Sequence, residues 1–181
     1  TRTESQTAVH LNKFDPDGAM TAVMVRPSVQ AKDETFLSAL IPARGSSWNQ
    51  RASVTPIDPQ EPHRGLVIGG LPGGETYEVV FNDAPESTSS AAGLTVTGMA
   101  GVRKVRDGQV ERVMLAAGQR LDLGGIPWIE VLEGTRASIE VETRIDGVAV
   151  SGDERPVRIY APQAVRVSWN GNEVAFDREG D

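Results

Sequence analysis

Hydrophobic and polar residues alternate along this chain in short runs, broken every few residues by glycine, proline or a turn-forming pair. The clearest case lies near the C-terminus. Val165, Val167 and Trp169 alternate with Arg166 and Ser168; Asn170-Gly171 follows, and then Val174 and Phe176 alternate with Glu173 and Ala175. Asn-Gly between two alternating runs predicts a two-residue hairpin, because both residues tolerate the positive φ of a type I′ turn. Asp107-Gly108 predicts a second hairpin, joining 101–106 to 109–115, and Asp146-Gly147 a third. The first arm of the third sets Ile139, Val141, Thr143 and Ile145 against Glu140, Glu142 and Arg144, so it is expected to bury one face and wet the other. Further strands are expected at about 19–26, 34–41, 51–57, 65–71, 76–82, 92–97, 120–123, 127–132 and 156–161. The serine-rich stretch 83–92 reads as a surface loop. No twelve-residue stretch carries a clean helical period free of Gly and Pro. The pattern therefore predicts an all-β fold, an antiparallel β-sandwich of two packed sheets, with residues 1–181 forming a single domain.

Composition agrees with that reading. The chain has 21 Val, 12 Thr and 8 Ile, residues whose branched side chains suit a pleated sheet. Gly (19) and Pro (11) together make one residue in six, which supplies the turns of many short strands. The net charge of −7, from 18 basic and 25 acidic residues, argues against nucleic acid or an anionic membrane as partner, since both attract basic surfaces. The chain lacks cysteine, which excludes disulfides and thiolate chemistry, and its two histidines argue against a multi-histidine metal site. No cofactor or metal is expected. No apolar run reaches the roughly 20 residues of a membrane span, and nothing reads as a signal peptide. The polar stretch Thr1–Gln6 is expected to fray. The ending Arg178-Glu179-Gly180-Asp181, just after a strand, reads as a fragment or accessory domain of a longer protein.

Chemistry is sparse. Thr1 as an N-terminal nucleophile would need a pocket around the terminus, and its polar neighbours offer none. Asn12 and Asp15-Pro-Asp17-Gly18 hold some oxygen ligands of a calcium loop but lack the later bidentate glutamate, so a plain turn explains them better. His10, in the alternating run Ala8-Val9-His10-Leu11, reads as a strand residue; His63, in Glu61-Pro62-His63-Arg64-Gly65, reads as a loop residue. Neither has a Gly-x-Ser-x-Gly nucleophile to serve. Asp58, Glu61, Glu75, Glu78, Asp122, Glu130 and Glu133 are candidates for a glycosidase-like carboxylate pair, with no spacing that joins any two. Gly69-Gly70 and Gly73-Gly74 flank Leu71-Pro72 as tight turns, not as a phosphate loop, because no lysine and no helix follow. Of the tryptophans Trp48, Trp128 and Trp169, the last shares a face with Val165 and Val167 and reads as core. Trp48, in Gly45-Ser46-Ser47-Trp48-Asn49-Gln50, is the best candidate for an exposed ring that stacks on a sugar.

Several segments, taken in order, resemble the β-sandwich region of heparinase II/III-like polysaccharide lyases. They are Lys32–Pro42, with its Phe-Leu-x-x-Leu-x-Pro pattern; Thr76–Asn82; the hairpin Arg103–Leu115 with its continuation Gly118–Gly125; and the closing hairpin Ala164–Asp181. The likeness covers roughly residues 20–181. Any β-sandwich offers such hairpins, so the order of the segments carries it. The resemblance implies a secreted or periplasmic protein in which an α/α-toroid catalytic domain, joined to β-sandwich domains, cleaves acidic polysaccharide by β-elimination. A base removes the proton α to the uronic carboxyl group, and a neutralising group stabilises the enolate. No catalytic position of the family maps onto Tyr77, Tyr160, His10 or His63, and no toroid can be read here. The chain is therefore expected to support catalysis rather than perform it, with polysaccharide and the toroid of the same parent as partners. A free-standing carbohydrate-binding or adhesion module is the alternative. Arg103, Lys104, Arg106 and Arg112 gather on one hairpin. Trp48, Arg103 and Arg106 are the expected carbohydrate-binding residues, against the plainer reading of a solvated hairpin tip.

Overall fold

The computed structural model describes residues 6–15, 18–26, 52–57 and 65–178. Among them are sixteen strands and no helix. The chain divides into two compact units, Thr1–Leu40 and Ile41–Asp181.

In the first unit β1 (Gln6–Asp15) and β2 (Gly18–Arg26) form an antiparallel ribbon, with His10 opposite Ala22 and Asp15 opposite Gly18. β2 covers the strand expected at 19–26, and residues 16 and 17, on which the reading of Asp15–Gly18 as a plain turn falls, lie outside the described residues.

The second unit contains a nine-stranded and a five-stranded sheet. The larger sheet uses β3 (Ser53–Pro56), β4 (Gly65–Gly69), β5 (Glu75–Phe81), β8 (Ala100–Arg106), β9 (Gln109–Gly118), β12 (Ala137–Thr143), β13 (Gly147–Gly152), β15 (Arg166–Trp169) and β16 (Asn172–Glu173). The smaller uses β6 (Thr88–Ala91), β7 (Leu94–Thr97), β10 (Arg120–Leu123), β11 (Ile126–Val131) and β14 (Val157–Ile159). Alternation sends one face of the central strands inward, while β3 and β16 are exposed throughout. Val80, Val113, Leu115, Ile139, Val141 and Val150 from the larger sheet meet Leu94, Val96, Leu121 and Ile129 from the smaller in one buried cluster. Fully burying an aliphatic side chain of this kind contributes about 1.5–3 kcal/mol. The fold is the all-β sandwich that the alternation predicts.

The hairpin chemistry acts as expected at two places. Asp107 and Gly108 (φ 51° and 77°) connect β8 to β9, and Asn170 and Gly171 (φ 47° and 86°) connect β15 to β16, both with the paired positive φ of a type I′ turn. The third hairpin differs in detail. Gly147 already belongs to β13, and Ile145-Asp146 form the tip, closed by the Arg144 amide donating to the Gly147 carbonyl at 2.9 Å. Gly147 is required for another reason. It lies opposite Arg166 in the parallel pairing of β13 with β15, and a Cβ there would fall 2.1 Å from the Arg166 carbonyl oxygen. The face expected to be buried is buried at Ile139 and Val141, but Ile145, at the tip, is fully exposed.

One further departure concerns 83–92. This stretch holds the edge strand β6, whose Thr88 and Ser90 hydroxyls hydrogen-bond those of Thr97 and Thr95 across the pair, each at 2.8 Å. Strand 34–41 lies outside the described residues.

Candidate functional site

The basic residues of the β8–β9 hairpin separate onto two faces. Arg103 has the parity of Gly101, whose missing side chain makes room for Val96 and Leu121 of the opposite sheet, so Arg103 points inward. It pairs with Glu78, opposite it on β5, through Nε at 2.7 Å and through Nη2, and Nη2 also donates to the Ala92 carbonyl at 3.1 Å. Ala92 lies in the β6–β7 turn, so Arg103 ties the two sheets together at one end of the sandwich.

Lys104 and Arg106 point outward. Arg106 reaches Glu75 at 2.6 Å and Glu111 at 2.9 Å; Lys104 reaches Glu111 at 2.8 Å and Glu75 at 3.5 Å, and its ammonium lies 5.8 Å from the centre of the Tyr77 ring. Glu111 can join this group because β9 carries a bulge there: Arg112 faces Lys104 and Val110 faces Val105, leaving Glu111 as the extra residue. The pattern continues across the sheet, with Arg112 at 3.1 Å from Glu140 and 3.6 Å from Glu142. On the smaller sheet Arg120 pairs with Asp122 and Glu130, and Glu130 also with Arg158. The carboxylates singled out as a hydrolase pair thus meet cations wherever they fall on these two faces. Asp58, Glu61, His63 and Trp48 lie outside the described residues. Among the described residues no three metal-ligating side chains gather.

The outer face has a defined response to pH. Chiefly the hydrogen bond from Arg106, and also one from its own backbone, holds the Glu75 carboxyl below its ordinary value of 4.5. The hydrogen bond to Glu111 pushes Lys104 up, and that to Glu75 pushes Arg106 up. A lowered carboxylate stabilises the fold above its ordinary pKa and loses that contribution as pH falls through the folded value. The raised cations keep theirs until strongly alkaline pH. Glu75→Gln is therefore expected to be less stable than wild type at neutral pH, with a smaller gap in acid, well below the ordinary carboxyl value of 4.5. Denaturant melts of both proteins at neutral and acid pH check this; a gap undiminished in acid would contradict it.

A concavity lies elsewhere, where the β12–β13 turn, β11 and the segment after β14 meet. It is a half-open cleft of about 200 Å³ lined by Trp128, Thr143–Ile145, Gly147, Val148 and Tyr160–Ala164. Trp128 and Tyr160 form its aromatic wall, with ring centres 5.6 Å apart and planes at 49°. Their backbones are locked by the Tyr160 amide donating to the Trp128 carbonyl at 3.1 Å. A second bulge aims the tryptophan. Leu121 faces Ile129 while Asp122 faces Pro127, so Trp128 is the extra residue. Bulges commonly re-aim a side chain beside a functional site. Tyr160 remains partly exposed and Trp128 packs against the core. The cleft is mainly apolar; Thr143, Arg144, Gln163, Tyr160 with its hydroxyl and Trp128 with its indole N–H are the lining residues that carry polar side-chain groups.

Neither Arg103 nor Arg106 is among the residues that line this cleft. Sequence reasoning weighed Trp128 but favoured Trp48, and it assigned Tyr160 no binding role. The available signal was Trp128's parity, opposite to that of the buried Ile129 and Val131. No known family model matches the chain, nor does any curated protein or solved structure.

Proposed function

We propose that this chain is a non-catalytic β-sandwich module that holds a saccharide chain for a larger secreted or periplasmic protein. The observation that carries this reading is the Trp128–Tyr160 cleft, in which two fixed aromatic rings meet a few neutral and basic polar groups. Aromatic rings offer a flat apolar surface to the C–H face of a pyranose, and a mostly apolar concavity with few orienting polar groups is the usual form of a small-ligand site. The parent that the order of segments suggests is a polysaccharide lyase acting on uronic-acid polymer by β-elimination. Its toroid would supply the base and the carboxylate neutraliser, and this module would form one wall of the cleft. The ion pairing of the sheet faces supports a passive role, because β-elimination needs a base free to accept a proton.

The test uses the chain with heparin, alginate, hyaluronan and chondroitin. Unsaturated uronides absorb in the ultraviolet, so turnover is read directly. A flat absorbance trace is expected, together with a change of tryptophan fluorescence on adding at least one polymer. Steady product formation would make the chain an enzyme and overturn the proposal.

A further inference from the structure

We infer that the Trp128–Tyr160 cleft accepts a single sugar ring bearing a carboxylate, with Arg144 as the group that recognises the acid. The inference rests on the saccharide-binding reading above and narrows it.

Size sets the first limit. Sites for drug-sized ligands usually enclose roughly 300–1,000 Å³, and this cleft of about 200 Å³ is smaller, on the scale of one ring. Its walls set the second. Trp128 and Tyr160 stand on one side; Ile145, Val148, Ala161, Pro162 and Ala164 complete an apolar lining, suited to the C–H face of a ring and not to a flexible polar chain.

Charge sets the third. Arg144 is the one residue of the lining that carries a charge at neutral pH, and no carboxylate lines the cleft. The Arg144 side chain is more than half exposed, and its ion-pair partner Glu142 lies 3.6 Å away, beyond ordinary hydrogen-bond distance. By contrast Arg103 and Arg106 are held by carboxylates at 2.7 and 2.6 Å. Arg144 therefore keeps donors for an incoming anion, and a planar guanidinium matches a carboxylate through two parallel hydrogen bonds. A basic amino sugar would find no acid in the lining. A neutral sugar would leave the guanidinium without its complement. The position of Arg144 favours the site as well: the backbone bond from its amide to the Gly147 carbonyl fixes the end of β12 at the cleft mouth.

The experiment titrates the chain with a hyaluronan tetrasaccharide that carries glucuronate at its non-reducing end, and with its carboxyl-reduced counterpart. Binding is followed by calorimetry and tryptophan fluorescence, on wild type, Arg144→Gln and Tyr160→Ala. Trp128 is left intact because it packs on the core, and circular dichroism verifies the fold of each variant. The acidic oligosaccharide is expected to bind about tenfold or more tightly than the reduced one, in line with a charge-assisted hydrogen bond. Arg144→Gln is expected to abolish that preference, and Tyr160→Ala to weaken both ligands. Equal binding of the two by wild type, weakened by Tyr160→Ala, would overturn the carboxylate inference and leave the saccharide-binding reading standing. A preference for the acid that survives Arg144→Gln would overturn the role of Arg144. Absence of binding to either ligand would overturn both readings.

Discussion

Leu115→Ala is expected to cost about 2–5 kcal/mol of stability, the range for removing a fully buried leucine when the cavity only partly collapses. In a chain of this size that lowers the melting temperature by about 10 °C. Leu115 lies on the inner face of β9, opposite Gly101 on β8 and Ile139 on β12, and is entirely excluded from solvent. Its surroundings cannot close easily. Gly118 lies so near that a Cβ there would stand 2.5 Å from Leu115 Cδ1, and Gly118 is itself pressed between the Thr97 carbonyl and Gly98. The next residue supplies the control. Met114 faces the other way and is more than a third exposed, so Met114→Ala is expected to cost less than about 1 kcal/mol. Thermal melts of both variants decide the point; equal losses would mean that the inner and outer faces have been assigned wrongly.

Asn82→Ala is expected to lose about 2–4 kcal/mol through a different mechanism, the loss of donors to buried acceptors. Asn82 is the one polar residue that is buried among those described, at 6% exposure. Its Nδ2 donates to the carbonyls of Ser87, Val96 and Gly98 at 2.9, 3.2 and 2.7 Å. These carbonyls belong to the chain on both sides of the β6–β7 hairpin, while Asn82 follows β5 of the other sheet. One amide thus pins the smaller sheet to the larger. Asn82→Asp keeps the shape and removes the donor, placing a carboxylate against three carbonyl oxygens. It is expected to be at least as destabilised as the alanine variant near neutral pH and to recover in acid, when the carboxyl group can donate a proton. Denaturant unfolding at both pH values measures this; an Asp variant as stable as wild type at neutral pH would contradict the role given to the amide.

The residues explain why some of the fold was legible in the sequence and some was not. The turns at Asp107-Gly108 and Asn170-Gly171 were legible because a type I′ turn is fixed by two adjacent residues, with no help from the rest of the chain. The same logic placed the third hairpin but misjudged Gly147, whose requirement comes from Arg166, nineteen residues later in the chain, in the parallel β13–β15 pair. Strand β6 was hidden because Thr88-Ser89-Ser90 has loop composition; cross-strand hydroxyl pairing with Thr95 and Thr97 helps to hold it as a strand. Local patterning gathered Arg103, Lys104, Arg106 and Arg112 on one hairpin. It could not show which carboxylates would neutralise them, since Glu75 and Glu78 lie on a different strand and Glu111 arrives through a bulge. The cleft was least legible. A bulge is defined by register against a neighbour, so the aim of Trp128 depends on β10, and its meeting with Tyr160 depends on β14 lying beside β11.

The most direct measurement is backbone amide chemical-shift mapping of the isotope-labelled chain as a uronic-acid oligosaccharide is added. The account predicts shifts concentrated at Trp128, at 143–148 and at 160–164, with the paired face of Glu75, Lys104, Arg106 and Glu111 undisturbed. Shifts centred on that paired face, or a spectrum unchanged at saturating oligosaccharide, would contradict it.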